Sequence, residues 1–278
     1  MERTISIVTP AYRPVAEFIA AAYSSVLGQS MPAGWHWQWV VQEDGEADGL
    51  ARMLPPDPRI SLGRGRRRAG EPTTRNLCLS RASGELIKVL DADDQLAPGA
   101  LRRDIEALSS QPDIGWATCR AVDLLPDGST VGFDSDPAEG RIECGAVLAH
   151  WRAHDFRAQV HPATLCIRRE LVFALGGWMA LPASGDTGLL LAANAISPGY
   201  FTAETGLLYR KWPGQMTRLS AHADDVERSA RMAVIETRAM SLAALWGRGR
   251  EARRADADAL ECAAQPLDGV LPHDGRAG

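Results

Sequence analysis

Residues 85–94 of the chain read Glu85-Leu86-Ile87-Lys88-Val89-Leu90-Asp91-Ala92-Asp93-Asp94. An apolar run of strand length ends there in three acids within four residues. Such a run indicates a buried strand of a parallel sheet, and open α/β sheets bind ligands at the carboxyl ends of these strands. Because side chains alternate along a strand, we expect Asp91 and Asp93 to point the same way and to form a site for Mg²⁺ or Mn²⁺.

The alternative for this acidic stretch is a helix N-cap, in which Asp93 or Asp94 starts a helix over residues 95–108. A cap needs one acid and not three, so we favour the metal site. The two interpretations are compatible if Asp94 caps the helix and Asp93 binds the metal.

The composition is that of a globular protein with an ample core. The chain has 278 residues, of which 45% are hydrophobic and 23% charged, and its net charge of −5 does not indicate a nucleic-acid partner. No apolar run approaches the roughly 20 residues of a membrane span. The first residues lead directly into a strand, so we expect no signal peptide. The five scattered cysteines indicate reduced core residues, and we expect a cytoplasmic location.

The first half of the chain alternates predicted strands and helices. This order predicts a mainly parallel sheet with right-handed crossovers. The predicted strands span residues 5–9, 35–41, 59–62 and 86–90, and the predicted helices span residues 15–27, 48–54 and 72–81.

The second half is less regular. Residues 134–157 mix Gly, Pro and acids, which is typical of an insertion that builds the variable part of a site. Strands are predicted over residues 114–122, 160–167, 201–204 and 207–210, and helices over residues 100–109, 144–151, 168–175, 188–195 and 224–246.

Five motifs, in this order along the chain, make the sequence resemble the family 2 glycosyltransferases, which have the GT-A fold. They are the strand and proline-aromatic loop of residues 5–12, the strand ending in acid and glycine of residues 40–45, the Arg-Asn pair of residues 74–76 with the glycine turn of residues 82–85, the DxD-like stretch of residues 90–94, and Gly176-Gly177-Trp178 with Asp186 beyond it. The resemblance covers roughly residues 4–217.

The resemblance implies an α/β fold of the GT-A type, with a Rossmann-like, mainly parallel sheet flanked by helices. Residues 1–220 would form the glycosyltransferase domain, with a nucleotide-sugar half at about 1–95 and an acceptor half at about 96–220. A C-terminal helix, residues 221–247, and a partly disordered tail, residues 248–278, would follow.

The family implies a nucleoside-diphosphate sugar as donor. Asp44 would accept the N3–H of uracil or thymine, Tyr12 would stack near the base, and Arg75 would hold the base or a phosphate. The alternatives are a turn aspartate, a loop tyrosine and an exposed helix arginine. The predicted nucleotide-sugar residues are Thr9, Pro10, Ala11, Tyr12, Asp44, Arg75, Asp91 and Ala92.

The family also implies a divalent metal, Mn²⁺ or Mg²⁺, as cofactor. Asp93 would bind the metal that neutralises the departing diphosphate, and Asp91 would accept from ribose hydroxyls or take part in the metal site. The basic run 64–68 assists the phosphates or is a solvated loop.

The implied reaction is a single displacement with inversion, which needs a base for the acceptor hydroxyl. Asp186 is the candidate, with an N-cap as its alternative role. Relatives usually carry Glu before this aspartate, where this chain has Gly185. Many also carry a histidine in the next strand region, near the place where Trp212 stands here. His222 could reach back to this place, but we favour a surface histidine ahead of the last helix.

Three tryptophans are candidates for an acceptor platform, since aromatic faces pack on sugar C–H surfaces, with core packing as the alternative. They are Trp151, Trp178 and Trp212.

The sequence thus predicts a soluble, metal-dependent glycosyltransferase that uses a UDP- or dTDP-sugar. The acceptor would be a glycan, a lipid-linked glycan or a small molecule. A catalytically silent nucleotide-sugar-binding or scaffold protein is the first alternative. A sugar nucleotidyltransferase is less favoured, because no glycine-rich phosphate loop follows the first strand.

Overall fold

The computed structural model of the chain describes residues 2–45, 49–215 and 225–263, with side chains as far as residue 248. The strands are β1 (Arg3–Ala11), β2 (Trp35–Glu43), β3 (Ile60–Gly63), β4 (Leu86–Val89), β5 (Gln95–Leu96), β6 (Trp116–Leu124), β7 (Thr130–Val131), β8 (Gly140–Ile142), β9 (Cys166–Arg168) and β10 (Gly199–Arg210). The helices are α1 (Ala16–Leu27), α2 (Leu50–Met53), α3 (Glu71–Leu79), α4 (Ala100–Ser110), α5 (Ala146–Ala153), α6 (Arg169–Ala174), α7 (Gly185–Ile196) and α8 (Asp225–Ala263).

The strands form one mixed sheet in the order β3-β2-β1-β4-β9-β6-β10-β5, with β7 and β8 attached at its side. Strands β3, β2, β1 and β4 are parallel, and so are β6 and β10. Strand β9 lies between β4 and β6 and is antiparallel to both. The predicted α/β class and mainly parallel sheet are therefore confirmed.

The register brings the carboxyl ends of three strands to one edge of the sheet. Ala11 of β1 pairs with Glu43 of β2, and Val8 of β1 pairs with Val89 of β4. The residues that follow β1, β2 and β4 therefore lie side by side. They include Tyr12, Asp44 and Asp91.

Alternation along the strands divides the core between the two faces of the sheet. On β1, Ile5 and Ile7 pack with residues of α1 and α4, whereas Val8 packs with residues of α3, α6 and α7. Every second side chain of a strand points to the same face, which explains the two clusters.

A third apolar cluster attaches the C-terminal helix. Leu191 of α7 packs with Met232 and Ile235 of α8 and with residues of α5. Helix α8 is longer than predicted, since it continues to Ala263 instead of ending at residue 247. The segments 216–224 and 264–278, which include His222 and the end of the predicted tail, lie outside the described residues.

Two predicted strand regions differ from the structure. Residues 201–204 and 207–210 belong to the single strand β10, whose pairing with β6 shifts register between Thr202 and Leu207. Because the bulge interrupts the regular alternation of side chains, the sequence pattern predicted two strands where the structure has one. In the predicted strand 160–167, residues Pro162–Thr164 form a 3₁₀ turn, because proline removes a backbone donor.

Among the described residues, no helix has both the length and the apolar character needed to cross a membrane. Cys78, Cys119 and Cys166 are buried free thiols, as predicted, whereas Cys144 is exposed.

Candidate functional site

The three acids that follow β4 lie in a turn, closed by a hydrogen bond from the Asp94 amide to the Asp91 carbonyl (3.2 Å). Because β4 ends at Val89, strand alternation does not set the directions of Asp91 and Asp93, which was the premise of the prediction. Each of the three aspartates has its own environment.

Asp94 is buried, contacts the backbone at the end of β10 and does not cap helix α4. Its Oδ1 accepts a hydrogen bond from the Arg210 backbone amide at 2.8 Å, and α4 begins only at Ala100, after the left-handed Gly99. The cap interpretation is therefore wrong. Burial, followed by the charges of Asp91 and Asp93, raises the pKa of Asp94 well above its usual range. Its Oδ2 is buried without a hydrogen-bond partner among the described residues.

Asp93 is fixed by an indole. Its Oδ2 accepts a hydrogen bond from Trp212 Nε1 at 2.7 Å, and its backbone carbonyl accepts one from Arg210 Nε at 2.7 Å. Trp212 also contacts Phe18 edge-on, with ring centroids 5.2 Å apart. Burial and the neighbouring charge of Asp91 raise the pKa of Asp93, while the Trp212 hydrogen bond opposes this. Trp212 therefore lies beside the predicted metal ligand.

Arg75 joins the turn after β4 to helix α7. Its guanidinium is fully buried, and Nη2 forms a short ion pair with Asp91. Nη1 bonds both oxygens of Asp186 at 2.6 Å and also forms a short ion pair with Glu71. The alternative of an exposed helix arginine is wrong. Its predicted contact with a base or a phosphate stays a prediction, and in this structure its partners are carboxylates.

Asp186 lies in the first turn of α7 and not in a preceding loop, and Ser184 occupies the N-cap position. Its Oδ1 accepts a hydrogen bond from Trp178 Nε1 at 2.7 Å. Burial raises the pKa of Asp186, Arg75 lowers it, and the charge of Asp91 raises it. The candidate base is thus held by an indole and a guanidinium.

The segment that carries Trp178 is bound to α3. Asn76 Nδ2 donates to the Trp178 carbonyl and the Trp178 amide donates to Asn76 Oδ1, both at 2.9 Å. Gly177 has a φ of 73°, and a Cβ there would overlap with Asn76 Oδ1. Consecutive residues of α3, Arg75 and Asn76, therefore position Asp186 and Trp178.

Asp44 fixes the loop that leads into α3. It is buried, and its two oxygens accept hydrogen bonds from the amides of Ala69 (2.5 Å) and Gly70 (3.1 Å). The basic run 64–68 begins this loop, and the Arg68 guanidinium lies 4.3 Å from the centroid of the Tyr12 ring. The loop therefore borders the place where the nucleobase was predicted.

The remaining predicted donor residues differ in accessibility. Thr9 is buried and its Oγ1 accepts a hydrogen bond from Trp39 Nε1 at 2.8 Å, and its predicted contact with the donor stays a prediction. Ala11 is also buried, and its carbonyl accepts from the Asp44 amide at 2.8 Å. Pro10 and Ala92 are partly exposed at the same edge.

Two of the three predicted acceptor tryptophans have no free face. Trp151, a residue of α5, is fully buried against α7 and α8. Trp178 is 2% exposed and meets Asp186 through its N–H. Both are core residues, so their prediction as a platform is wrong. Trp212 is partly exposed.

Sequence reasoning missed Glu71, which pairs with Arg75, and Arg210, which contacts Asp93 and Asp94. The spacing of four residues between Glu71 and Arg75 on a helix was a usable signal. Arg210 has no signal in the sequence, because a bulged strand brings it to Asp93 and Asp94.

No group of three or more His, Cys, Asp or Glu suited to hold a metal occurs among the described residues. The acidic centre, which is the turn of residues 91–94, contains the two predicted metal ligands, Asp91 and Asp93, and a metal at this place stays a prediction. Chemically, the site combines the carboxylates of this turn with a separate, hydrogen-bonded carboxylate, Asp186, which lies 95 positions further along the chain from Asp91.

Comparison with known proteins finds that the Glycosyl transferase family 2 profile matches residues 6–128. TuaG of Bacillus subtilis (strain 168), named for teichuronic acid biosynthesis, is 31% identical over 106 residues, which are 37% of this chain and 40% of TuaG. The succinoglycan biosynthesis protein ExoO of Rhizobium meliloti (strain 1021) is 36% identical over 104 residues, or 37% of this chain and 29% of ExoO. The chain thus spans less than half of either relative.

Solved structures share the fold. The crystal structure of S. aureus TarS (residues 1–349) in complex with UDP-GlcNAc matches with a TM-score of 0.67 at 15% identity. The match covers 88% of this chain and 71% of that TarS chain.

Proposed function

We propose that this chain, whose residues 6–128 match the Glycosyl transferase family 2 profile, transfers a sugar from a nucleoside-diphosphate sugar to an acceptor hydroxyl, with inversion at the transferred carbon. The observation that carries the proposal is the bridge made by Arg75. One buried guanidinium links Asp91, at the predicted donor edge, to Asp186, the candidate base. The two carboxylates have different tasks in such a displacement, and the bridge fixes them relative to each other.

A UDP-sugar is the donor to test first, with a dTDP-sugar as the second. The TarS complex contains UDP-GlcNAc, which supports a uridine donor for the shared fold. Tyr12 would stack on the base, with the Arg68 guanidinium beside its ring. The amides of Ala69 and Gly70 already donate hydrogen bonds to the two oxygens of Asp44. Asp44 would therefore accept a hydrogen bond from the base through the lone pairs that remain free.

A divalent cation, Mn²⁺ or Mg²⁺, fits Asp91 and Asp93. Carboxylate oxygens are the ligands that these hard cations prefer. Burial, and after it the charge of Asp91, raises the pKa of Asp93, which supports a bound cation as a compensating positive charge there. When bound, the cation supplies Lewis-acid stabilisation of the departing diphosphate. With two protein carboxylates, donor phosphate and water oxygens would complete the coordination.

Asp186 would accept the proton of the attacking hydroxyl. As the new C–O bond forms on one side of the sugar carbon, the bond to the diphosphate breaks on the other, and the hydroxyl proton passes to Asp186. Trp178 and Arg75 orient the carboxylate for this step. The names of TuaG and ExoO support a glycan acceptor, and lipid-linked glycans and small molecules are the other classes to test.

The donor site is tested by thermal unfolding with UDP and Mn²⁺. We expect UDP to raise the melting temperature only when Mn²⁺ is present, and we expect Asp93→Ala to abolish the increase. Asp127→Ala, in the surface turn before β7, is the matched control and should keep it. If no nucleoside diphosphate raises the melting temperature of the parent protein, the glycosyltransferase proposal fails.

The base is tested in the same assay together with turnover. Asp186→Asn should keep the UDP and Mn²⁺ effect and reduce transfer or donor hydrolysis by about 100-fold or more. Turnover at the parent rate would remove Asp186 from the base role. A parent protein that binds UDP with Mn²⁺ and turns over no donor would be the silent binding module.

A further inference from the structure

Glu71 lies at the reaction centre although the proposed mechanism gives it no role. It is the first residue of α3, and its Oε1 pairs with Arg75 Nη1, the same nitrogen that bonds Asp186. Its side chain is 41% exposed, against 16% for Asp186. Among the described residues, no donor contacts its second oxygen, Oε2.

Helices α3 and α7 approach closely enough to make this sharing possible. Gly185 starts α7, and a Cβ there would lie 2.8 Å from Pro72 Cγ. Because Pro72 follows Glu71 directly, the absence of a side chain at position 185 lets the two carboxylates meet on one guanidinium.

The charges of the cluster do not balance. Glu71, Asp91 and Asp186 surround the buried Arg75. If all three carboxylates were ionised, the four groups together would carry a net charge of −2. Uncompensated charge is costly in a poorly solvated site, which favours retention of one proton. The combined effect of burial and of the charged groups that face Glu71 also favours its protonated form. Arg75 lowers its pKa, but burial and the charges of Asp186 and Asp91 raise it to about 7.

We infer that Glu71 is a positioning residue that sets the basicity of Asp186 through their shared Arg75. While Glu71 carries the proton of the cluster, Arg75 pairs with Asp186 and makes it a weak base. When Glu71 ionises, it competes for Arg75 Nη1 and adds negative charge, so Asp186 becomes a stronger base. This inference rests on the proposed role of Asp186.

The first test needs neither donor nor acceptor. Trp178 Nε1–H donates to Asp186, so its indole ¹H–¹⁵N signal reports on the charge of the cluster. Trp178→Phe assigns that signal among the eight tryptophans. In the parent protein, without metal, we expect the signal to titrate with a midpoint at about pH 7, because the coupled carboxylates share that proton.

Glu71→Gln keeps the shape of protonated glutamate and removes its titration. We expect the transition near neutral pH to vanish in this variant and to return in Glu71→Asp. Glu236→Gln is the matched control, since Glu236 is also a partly exposed helix glutamate paired with an arginine, Arg152. Its titration curve should match that of the parent. An unchanged transition in Glu71→Gln would overturn the inference.

The second test uses hydrolysis of UDP-GlcNAc with Mn²⁺ as a function of pH. We expect the parent rate to rise with pH as Glu71 ionises and the Glu71→Gln rate to lack that rise, so that the variant is about threefold to tenfold slower above this transition and equal below it. The UDP-induced rise in melting temperature should be equal in both proteins. A parent-like pH profile in Glu71→Gln would refute the inference, whereas a parent protein without UDP binding would refute the proposed function itself.

Discussion

At the scale of single residues, hydrogen bonds decide which oxygens of the acidic centre are available. Trp212 binds Oδ2 of Asp93, and the Arg210 amide binds Oδ1 of Asp94. Indole and backbone donors cannot lose a proton at ordinary pH, so these contacts always stabilise the ionised carboxylate. The two donors therefore oppose the effect of burial without cancelling it, since the pKa of both Asp93 and Asp94 remains raised.

Two neighbouring glycines allow a prediction at this scale. Gly177→Ala combines a left-handed φ with overlap on Asn76 Oδ1, whereas Gly176→Ala has a similar φ of 75° and no atom within 4 Å of the new Cβ. The left-handed conformation alone costs roughly 1–2 kcal/mol and overpacking adds about 1–3 kcal/mol. We therefore expect Gly177→Ala to lower the free energy of unfolding more, as measured by urea denaturation.

The two glycine variants should also differ in transferase activity. Only Gly177→Ala displaces Asn76 from the Trp178 backbone, so only that variant should reduce transfer as well as stability. Equal losses in the two variants would show that the contact between Asn76 and Trp178 does not position the site.

Residue roles were predictable from the sequence only in part. Asp91 and Asp93 could be selected because acids after a strand carry a local signal, and Asp186 because of the family resemblance. The structure brings Asp91 and Asp186 together on Arg75, whereas Asp93 contacts Trp212 and Arg210. Partners could not be predicted, because the contacts of Trp212 and Arg210 depend on the packing of β10 against the turn. Trp151 lies in the core and not in the site. Its burial could not be predicted from the spacing of residues in the sequence.

At the scale of elements, α8 is part of the fold, although the family profile ends at residue 128. Ile235 is 1% exposed in the cluster with α7, whereas the adjacent Val234 is 49% exposed. Deletion of a buried aliphatic side chain costs about 2–5 kcal/mol, and surface changes are usually within about 0.5 kcal/mol. Ile235→Ala should therefore lower the free energy of unfolding strongly.

Val234→Ala is the matched control and should be nearly neutral in the same chemical denaturation experiment. Similar small losses in both variants would mean that α8 does not stabilise the domain. The sequence predicted this helix from its apolar spacing but ended it too early, because the residues after Trp246 lack that spacing and still remain helical.

The elements of the first half were predictable because each has one dominant pattern. Strands β1, β2 and β4 are apolar runs that stop at polar or turn residues, and all three form. The second half mixes signals. A bulge divides β10, and Pro162 breaks the run before β9, so periodicity alone gave the wrong boundaries.

At the scale of the whole molecule, a buried ion pair connects distant parts of the chain. Lys88 of β4 lies 2.7 Å from Asp104 of α4 and donates to the Thr164 carbonyl at 2.6 Å, and both side chains are buried. Removal of one partner from such a pair leaves an uncompensated charge, which costs about 3–5 kcal/mol. Asp104→Ala should therefore destabilise the whole sheet by this amount, as measured by urea denaturation.

The double variant Lys88→Met with Asp104→Ala tests the cause. It removes both charges, so it should be less destabilised than Asp104→Ala alone. A double variant that is less stable than the single one would show that packing, and not charge, governs this position.

The position of β9 bears on how the chain folds during synthesis. Residues 3–89 can form four parallel strands, but the free edge of β4 finds its partner only when residues 166–168 have left the ribosome. Long-range pairing of this kind is slow, and an unpaired strand edge promotes association with other chains. Until β9 arrives, the nascent N-terminal half therefore exposes an unpaired edge. The contacts that hold Asp93 and Asp94 form later still, because Arg210 and Trp212 are synthesised after β9.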